Sequence, residues 1–199
     1  MIKKSVILEE PSLFELKEAD AEMFYREGYV DAESFLSIDA VERINRAYDS
    51  EIESRRSNKE WINLGFSEEI QSELFTDRIT TMMEKLLGGP VNLWMGMYAV
   101  VMPGGQGLEW HQDNQYTHIL GHMCNAFVAL DEIDVNKAGL WIAPRSHLLG
   151  HQPNLNEGDG HRRAAEPENA ESVRPMKPGD AVIFHRELLH HSKINYTDS

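Results

Sequence analysis

Lys177-Pro178-Gly179-Asp180-Ala181-Val182-Ile183-Phe184-His185 is the stretch on which the fold class turns. Pro178-Gly179-Asp180 is a turn signal: proline presets one φ, glycine supplies a positive one, and a short aspartate side chain bonds back to nearby backbone. Ala181 to Phe184 follows as an apolar run too short for a helix, so it predicts a strand. The same grammar recurs upstream. Asn92 to Met102 is rich in strand formers and ends at Pro103-Gly104-Gly105. His122 to Leu130 is mostly apolar, and Gly139 to Ala143 stops at Pro144. Short strands with Gly/Pro punctuation predict a mainly β fold, a sandwich or jelly roll, with flanking helices.

Further upstream the period changes from two to 3.6. Lys17 to Glu27 carries Ala21, Phe24 and Tyr25 at helical spacing, and Gly28 stops it. Ser37 is an N-cap for a second helix, with Ala40, Val41, Ile44 and Ala47 on one face. Thr76 or Asp77 starts a third, lined by Ile79, Met82, Met83 and Leu86 and ended by Gly88-Gly89-Pro90. The expected organisation is one domain over residues 1–199: a helical N-terminal part over about 15–89 and a β core over about 90–199. Gly150 to Pro175 is polar and reads as a long surface loop, the expected place for substrate selection or a lid.

Composition narrows the function classes. The 199 residues hold 19 Lys and Arg against 33 Asp and Glu, a formal charge of −14. That balance argues against a phosphate backbone and against an anionic membrane surface as partners. A hydrophobic content of 41% with four Trp and seven Phe is too high for a disordered acidic chain. Cys124 is the single cysteine, which suits a reducing compartment. No targeting or membrane-spanning segment is visible, so a soluble cytoplasmic protein is expected.

The chemistry-bearing motif is Trp110-His111-Gln112-Asp113. Residues i and i+2 of a strand project from one face, so His111 and Asp113 can share one metal ion. A distant second histidine would complete a two-His-one-carboxylate triad. Such a triad leaves open positions and points to non-haem Fe(II). The candidate is His190 in Leu188-Leu189-His190-His191-Ser192. The remaining histidines, His118, His122, His147, His151, His161 and His185, read as structural or exposed. Cys124 reads as packing, as do Met82 and Met83. Met95 and Met97 read as core first and pocket wall second.

With these pieces in order, the sequence resembles the phytanoyl-CoA dioxygenase family of Fe(II)- and 2-oxoglutarate-dependent oxygenases. Further matches are Ala126-Phe127-Val128-Ala129-Leu130-Asp131, Pro144-Arg145-Ser146-His147, Pro178-Gly179-Asp180 with its strand, and His190-x-Ser192-x-x-Asn195. The opening Phe24-Tyr25-Arg26-Glu27-Gly28-Tyr29-Val30, with Phe35-Leu36-Ser37 after it, matches too. The resemblance implies a double-stranded β-helix (jelly-roll) core. It implies iron ligands His111, Asp113 and His190, with His191 standing where the family has glycine. Ser192 matches a 2-oxoglutarate contact, and Tyr98 lies where a polar cosubstrate contact is common. Arg145 replaces a family glycine, and both it and Trp110 are candidates to meet substrate. The implied activity uses Fe(II), 2-oxoglutarate and O₂ to oxidise an unactivated C–H bond of a small molecule, with secondary metabolism among the family's settings. An intact Asp113 favours hydroxylation over halogenation. The family's distal-carboxylate arginine follows the distal histidine by about one strand, and no arginine occurs after Arg186. The expectation is therefore a chain that stops one strand short of closing the fold. The competing reading is a non-catalytic jelly-roll protein that binds a metal or ligand.

Overall fold

The computed structural model describes residues 12–55, 61–62, 68–94, 96–156 and 161–198; Met95 lies outside them. Four helices come early: α1 (Glu18–Glu27), α2 (Ile38–Arg55), α3 (Glu68–Leu74) and α4 (Asp77–Leu87). Two short strands interrupt them, β1 (Tyr29–Ala32) and β2 (Trp61–Ile62). Then come β3 (Tyr98–Ala99), a one-turn helix α5 (Asn114–Thr117), β4 (Cys124–Val128), β5 (Leu140–Ile142), β6 (Glu171–Ser172), β7 (Ala181–His185) and β8 (His190–Ser192). The fold is a mixture of helices and antiparallel sheets, with strand orders β1-β7-β4, β2-β3 and β6-β5-β8.

The helix signals act as expected. Ser37 Oγ accepts from Ala40 N at 3.2 Å, and Thr76 Oγ1 accepts from Ile79 N at 3.3 Å. Three readings need correcting. The N-terminal part is not purely helical, because Tyr29–Ala32 pairs with β7. Its four residues alternate between half-buried and buried, a strand too short to stand out between two helices. Likewise Gly150–Pro175 is not all loop, since Glu171–Ser172 pairs with β5. Among the described residues of Asn92–Met102, only Tyr98–Ala99 is paired strand.

β7 is the centre of the molecule. Its Ala181, Val182, Ile183 and Phe184 are all buried, because both faces are covered. Ala181 and Ile183 pack on the apolar stripes of α2 (Val41, Ile44) and α4 (Met82, Leu86). Val182 and Phe184 pack on Leu140, Ile142 and Leu188. Each of the larger side chains among these (Val182, Ile183, Phe184) contributes about 1.5–3 kcal/mol. The turn that launches β7 is locked. Asp180 N donates to Lys177 O at 3.0 Å, and Leu36 N donates to Gly179 O at 2.9 Å. Gly179 has φ +92°, and a Cβ there would lie 2.5 Å from Leu36 O, so only glycine fits both demands. Asp180 Oδ1 accepts from Ser34 N, while Oδ2 accepts from Lys177 N and Arg174 Nη1.

Candidate metal centre

His111 and His190 exchange backbone hydrogen bonds: His111 N donates to His190 O at 3.0 Å and His190 N to His111 O at 3.1 Å. A pair of this kind puts both side chains on one face of the ladder, and the imidazole centroids lie 4.2 Å apart. Both histidines are buried. The ring of Phe184 lies 4.7 Å from that of His190, and Tyr116 meets His111 edge-on at 5.8 Å.

Each imidazole has its Nδ1 on a main-chain oxygen, His111 on Glu109 O at 2.7 Å and His190 on Leu188 O at 2.9 Å. A carbonyl only accepts, so each Nδ1 carries a proton, and in a neutral ring Nε2 is then the free lone pair. Both Nε2 atoms face the same carboxylate oxygen, Asp113 Oδ1, at 3.6 and 3.7 Å. Burial, followed by the neighbouring His111, pushes the His190 pKa down to about 4, so this ring is neutral at pH 7. Burial works to raise the Asp113 pKa, but His190, His111 and Asn125 outweigh it and hold the carboxyl below its ordinary value. Three electron-pair donors therefore converge within 4.8 Å of one another. A cation among them would be met by all three at once. Two imidazoles and one carboxylate suit a divalent transition metal such as Fe(II), and the backbone carbonyls behind the rings fix their orientation.

The motif's other residues hold the loop in shape. Gln112 is fully buried; its Nε2 donates to Gly150 O and Glu187 O, and its Oε1 accepts from Gln152 N. Gln115 Oε1 accepts from Gln112 N and its Nε2 donates to Gln152 O. Asn114 Nδ2 donates to Glu187 Oε1 at 2.6 Å. Downstream, Tyr116 Oη accepts from Arg162 N and Trp110 O from Ala164 N. The start (Gly150, Gln152) and the middle (Arg162, Ala164) of the polar segment that begins at Gly150 are thus tied to residues 110–116. Among these partners, Asn125 is the one composition could have flagged: a lone amide inside the apolar strand Cys124–Val128. It donates to Asp113 Oδ2.

The other sequence candidates are placed as follows. Ser192 Oγ accepts from Leu108 N at 2.9 Å, and a Cβ on Gly107 would lie 2.3 Å from it. Tyr98 stacks on Tyr48 at 3.6 Å and donates to Asn45 Oδ1 at 2.8 Å; burial pushes its pKa up to about 12. Trp110 is buried with its ring 4.4 Å from His191. Arg145 is exposed, with φ +68°. Cys124 is half-buried beside Met83 Sδ at 3.7 Å, and burial pushes its thiol up to about 12. No described helix is long and apolar enough to cross a membrane.

The family model for phytanoyl-CoA dioxygenase (PhyH) matches residues 24–199. A curated relative from Danio rerio, phytanoyl-CoA dioxygenase domain-containing protein 1, is 29% identical over 143 residues, covering 61% of this chain and 46% of the relative. The chain thus spans about half the length of that relative. Among solved structures, EvdO2 from Micromonospora carbonacea var. aurantiaca complexed with 2-oxoglutarate superposes with a TM-score of 0.73 at 18% identity, covering 94% of this chain and 88% of the other. The epimerase SnoN, in complex with Fe3+, alpha ketoglutarate and nogalamycin RO, gives 0.65 at 21% identity, covering 92% and 78%. At these identities the two structures speak to the fold.

Proposed function

The chain belongs to the phytanoyl-CoA dioxygenase family, and on that premise we propose that it is a single-domain Fe(II)- and 2-oxoglutarate-dependent dioxygenase on a jelly-roll core, oxidising an unactivated C–H bond of a small molecule. Hydroxylation is the outcome we favour. The observation that carries the reading is the convergence of the Nε2 atoms of two histidines, each with Nδ1 on a backbone carbonyl, on one carboxylate oxygen. Bound iron would supply the activation of O₂, coupled to decarboxylation of 2-oxoglutarate to succinate. The protein's own share is the ligand set, its orientation, and the rings of Phe184 and Tyr116 packed against the histidines.

Ser192 supports cosubstrate binding. Its oxygen already accepts from Leu108 N, and its O–H is left to donate to a carboxylate. Tyr98 is committed to Asn45, so the cosubstrate reading rests on Ser192. Of the residues expected to meet substrate, Trp110 is covered and Arg145 is exposed, so Arg145 is the one kept for an anionic substrate group. Hydroxylation is favoured by the intact carboxylate at Asp113. Relatives that bind the same cosubstrate include an epimerase, which makes the reaction outcome the property to measure.

Anaerobic protein loaded with Fe(II) should develop a visible charge-transfer band on adding 2-oxoglutarate. Aerobic turnover should then form succinate only when iron, O₂ and 2-oxoglutarate are all present. Metal binding with no band and no succinate would favour the non-catalytic binding protein instead.

A further inference from the structure

The metal ligand Asp113 has two oxygens in different surroundings. Oδ1 faces His111 Nε2 and His190 Nε2 at 3.6 and 3.7 Å. Oδ2 accepts a hydrogen bond from Asn125 Nδ2. Asn125 comes from the other sheet: it lies on β4, directly opposite Phe184 of β7, and the Phe184 ring lies 4.7 Å from His190. Strand alternation explains how an amide arrives there. Cys124 and Val128 pack on the helical core, whereas Phe127 packs between the sheets with Val182 and Phe184. Asn125 is two residues before Phe127, so it shares that inward face. It is the polar side chain in a strand otherwise made of Cys, Ala, Phe and Val.

We propose that Asn125 is a positioning residue that holds Asp113 as a one-oxygen ligand. The inference rests on the metal-site reading above. A free carboxylate beside a divalent cation can bind through one oxygen or chelate through both. Chelation would take one of the three positions that a facial triad leaves open, and a bidentate cosubstrate plus O₂ needs all three. The Asn125 amide holds Oδ2 as its acceptor, and Oδ1, which faces both histidine nitrogens, is the oxygen presented to the metal. The amide also draws charge from the carboxylate, so it tunes affinity as well as denticity.

The test uses Mn(II) as probe and needs no turnover. Electron–nuclear double resonance in ¹⁷O-water counts the waters on bound Mn(II). The unsubstituted protein should show three, and Asn125→Leu, which keeps the volume and removes the donor, should show two. Metal affinity should change by about 10–100-fold. Asn125→Ala, which removes the donor and adds neither charge nor ligand, gives a second variant should Asn125→Leu fail to fold. Three waters in both the unsubstituted protein and a folded variant would overturn the proposal. Two waters in the unsubstituted protein would also overturn it, because Asp113 would then already chelate. Failure of the unsubstituted protein to bind Mn(II), Co(II) or Fe(II) would instead sink the metal-site reading, and this inference with it. Altered thermal stability with an unchanged water count would make Asn125 a purely structural partner.

Discussion

His190 and His191 are consecutive residues on β8 with opposite fates. His190 points inward beside Asp113 and His111. His191 points outward, 4.4 Å from Trp110 and 6.0 Å from Trp141, and Lys193 Nζ continues the column 3.7 Å over the Trp141 ring. Residue type is therefore no guide to role here. The period of two decides which imidazole can meet a metal and which fills an apolar layer. The same alternation separates His111 from Trp110, which turns to the His191 side and packs with Ala143, Ala164 and Leu189.

The largest effect that would break this contrast is loss of metal. His190→Ala, His111→Ala or Asp113→Ala should each weaken Co(II) or Fe(II) binding by more than about 100-fold, beyond the range typical of outer partners. His191→Ala should leave it unchanged. Calorimetric titration of the four variants decides the matter. Equal losses at His190 and His191 would mean the two faces are not distinct.

Stability should show the reverse ranking. Trp110→Ala removes a buried ring from the outer layer and should cost about 3–5 kcal/mol, read by denaturant unfolding of the metal-free protein. Folded Trp110→Ala molecules should keep their metal affinity. A loss of metal affinity as large as that of His190→Ala would show that the outer layer holds the ligands in register and is not merely packing.

A smaller effect lies in the support of the inner face. Asp180 anchors the turn before β7, and β7 carries the Phe184 that presses on His190. Burial works to raise the Asp180 pKa, but the Arg174 hydrogen bond and the amides of Lys177 and Ser34 win and hold it below its ordinary value. A carboxyl lowered on folding contributes stability that is fully present above its unfolded pKa, about 3.9. That contribution fades as pH falls through the lower folded value. Asp180→Asn should therefore cost about 1–3 kcal/mol at pH 7. The gap between variant and parent should hold down to about pH 5 and close below about pH 4. Unfolding curves that stay parallel through the acid range would disprove the linkage.

These elements differ in how far the sequence exposes them. The Lys177–Asp180 turn was legible because its chemistry is local: Pro, Gly and Asp each act within four residues. His111 and Asp113 were legible because two residues of strand bring them together, and His190 because its motif follows a readable turn and strand. β1 was hidden between two helices, since four residues carry little periodicity and its partner β7 lies far along the chain. The reading of Asn92–Met102 as strand overreached because composition gives potential, whereas a ladder needs a neighbour, and only Tyr98–Ala99 has one among the described residues. Asn125 could be noticed as a polar residue in an apolar run, but its partner Asp113 becomes visible only when the two sheets face each other.

The smallest expected effect sharpens the contrast from the outer side. Arg145 sits in the left-handed region at φ +68°, which costs a residue with a Cβ about 1–2 kcal/mol. The turn it makes is tied to β8: Ser146 Oγ accepts from Leu189 N at 2.8 Å, and Ala143 N donates to Leu189 O at 2.9 Å. These bonds hold the residue immediately before His190 through its backbone. Arg145→Gly relieves the strain and leaves both bonds in place, so it should stabilise the fold by about 1 kcal/mol, net of the extra freedom glycine gains in the unfolded chain. Metal affinity should stay the same, because nothing on the inner face moves. Destabilisation by the same change would mean that the arginine side chain makes a contact worth more than the strain. Binding of an anionic substrate, compared between Arg145→Gly and Arg145→Lys, then separates that contact from a role in recognition: a charge-based role is retained by lysine and lost with glycine, whereas a purely conformational one is not.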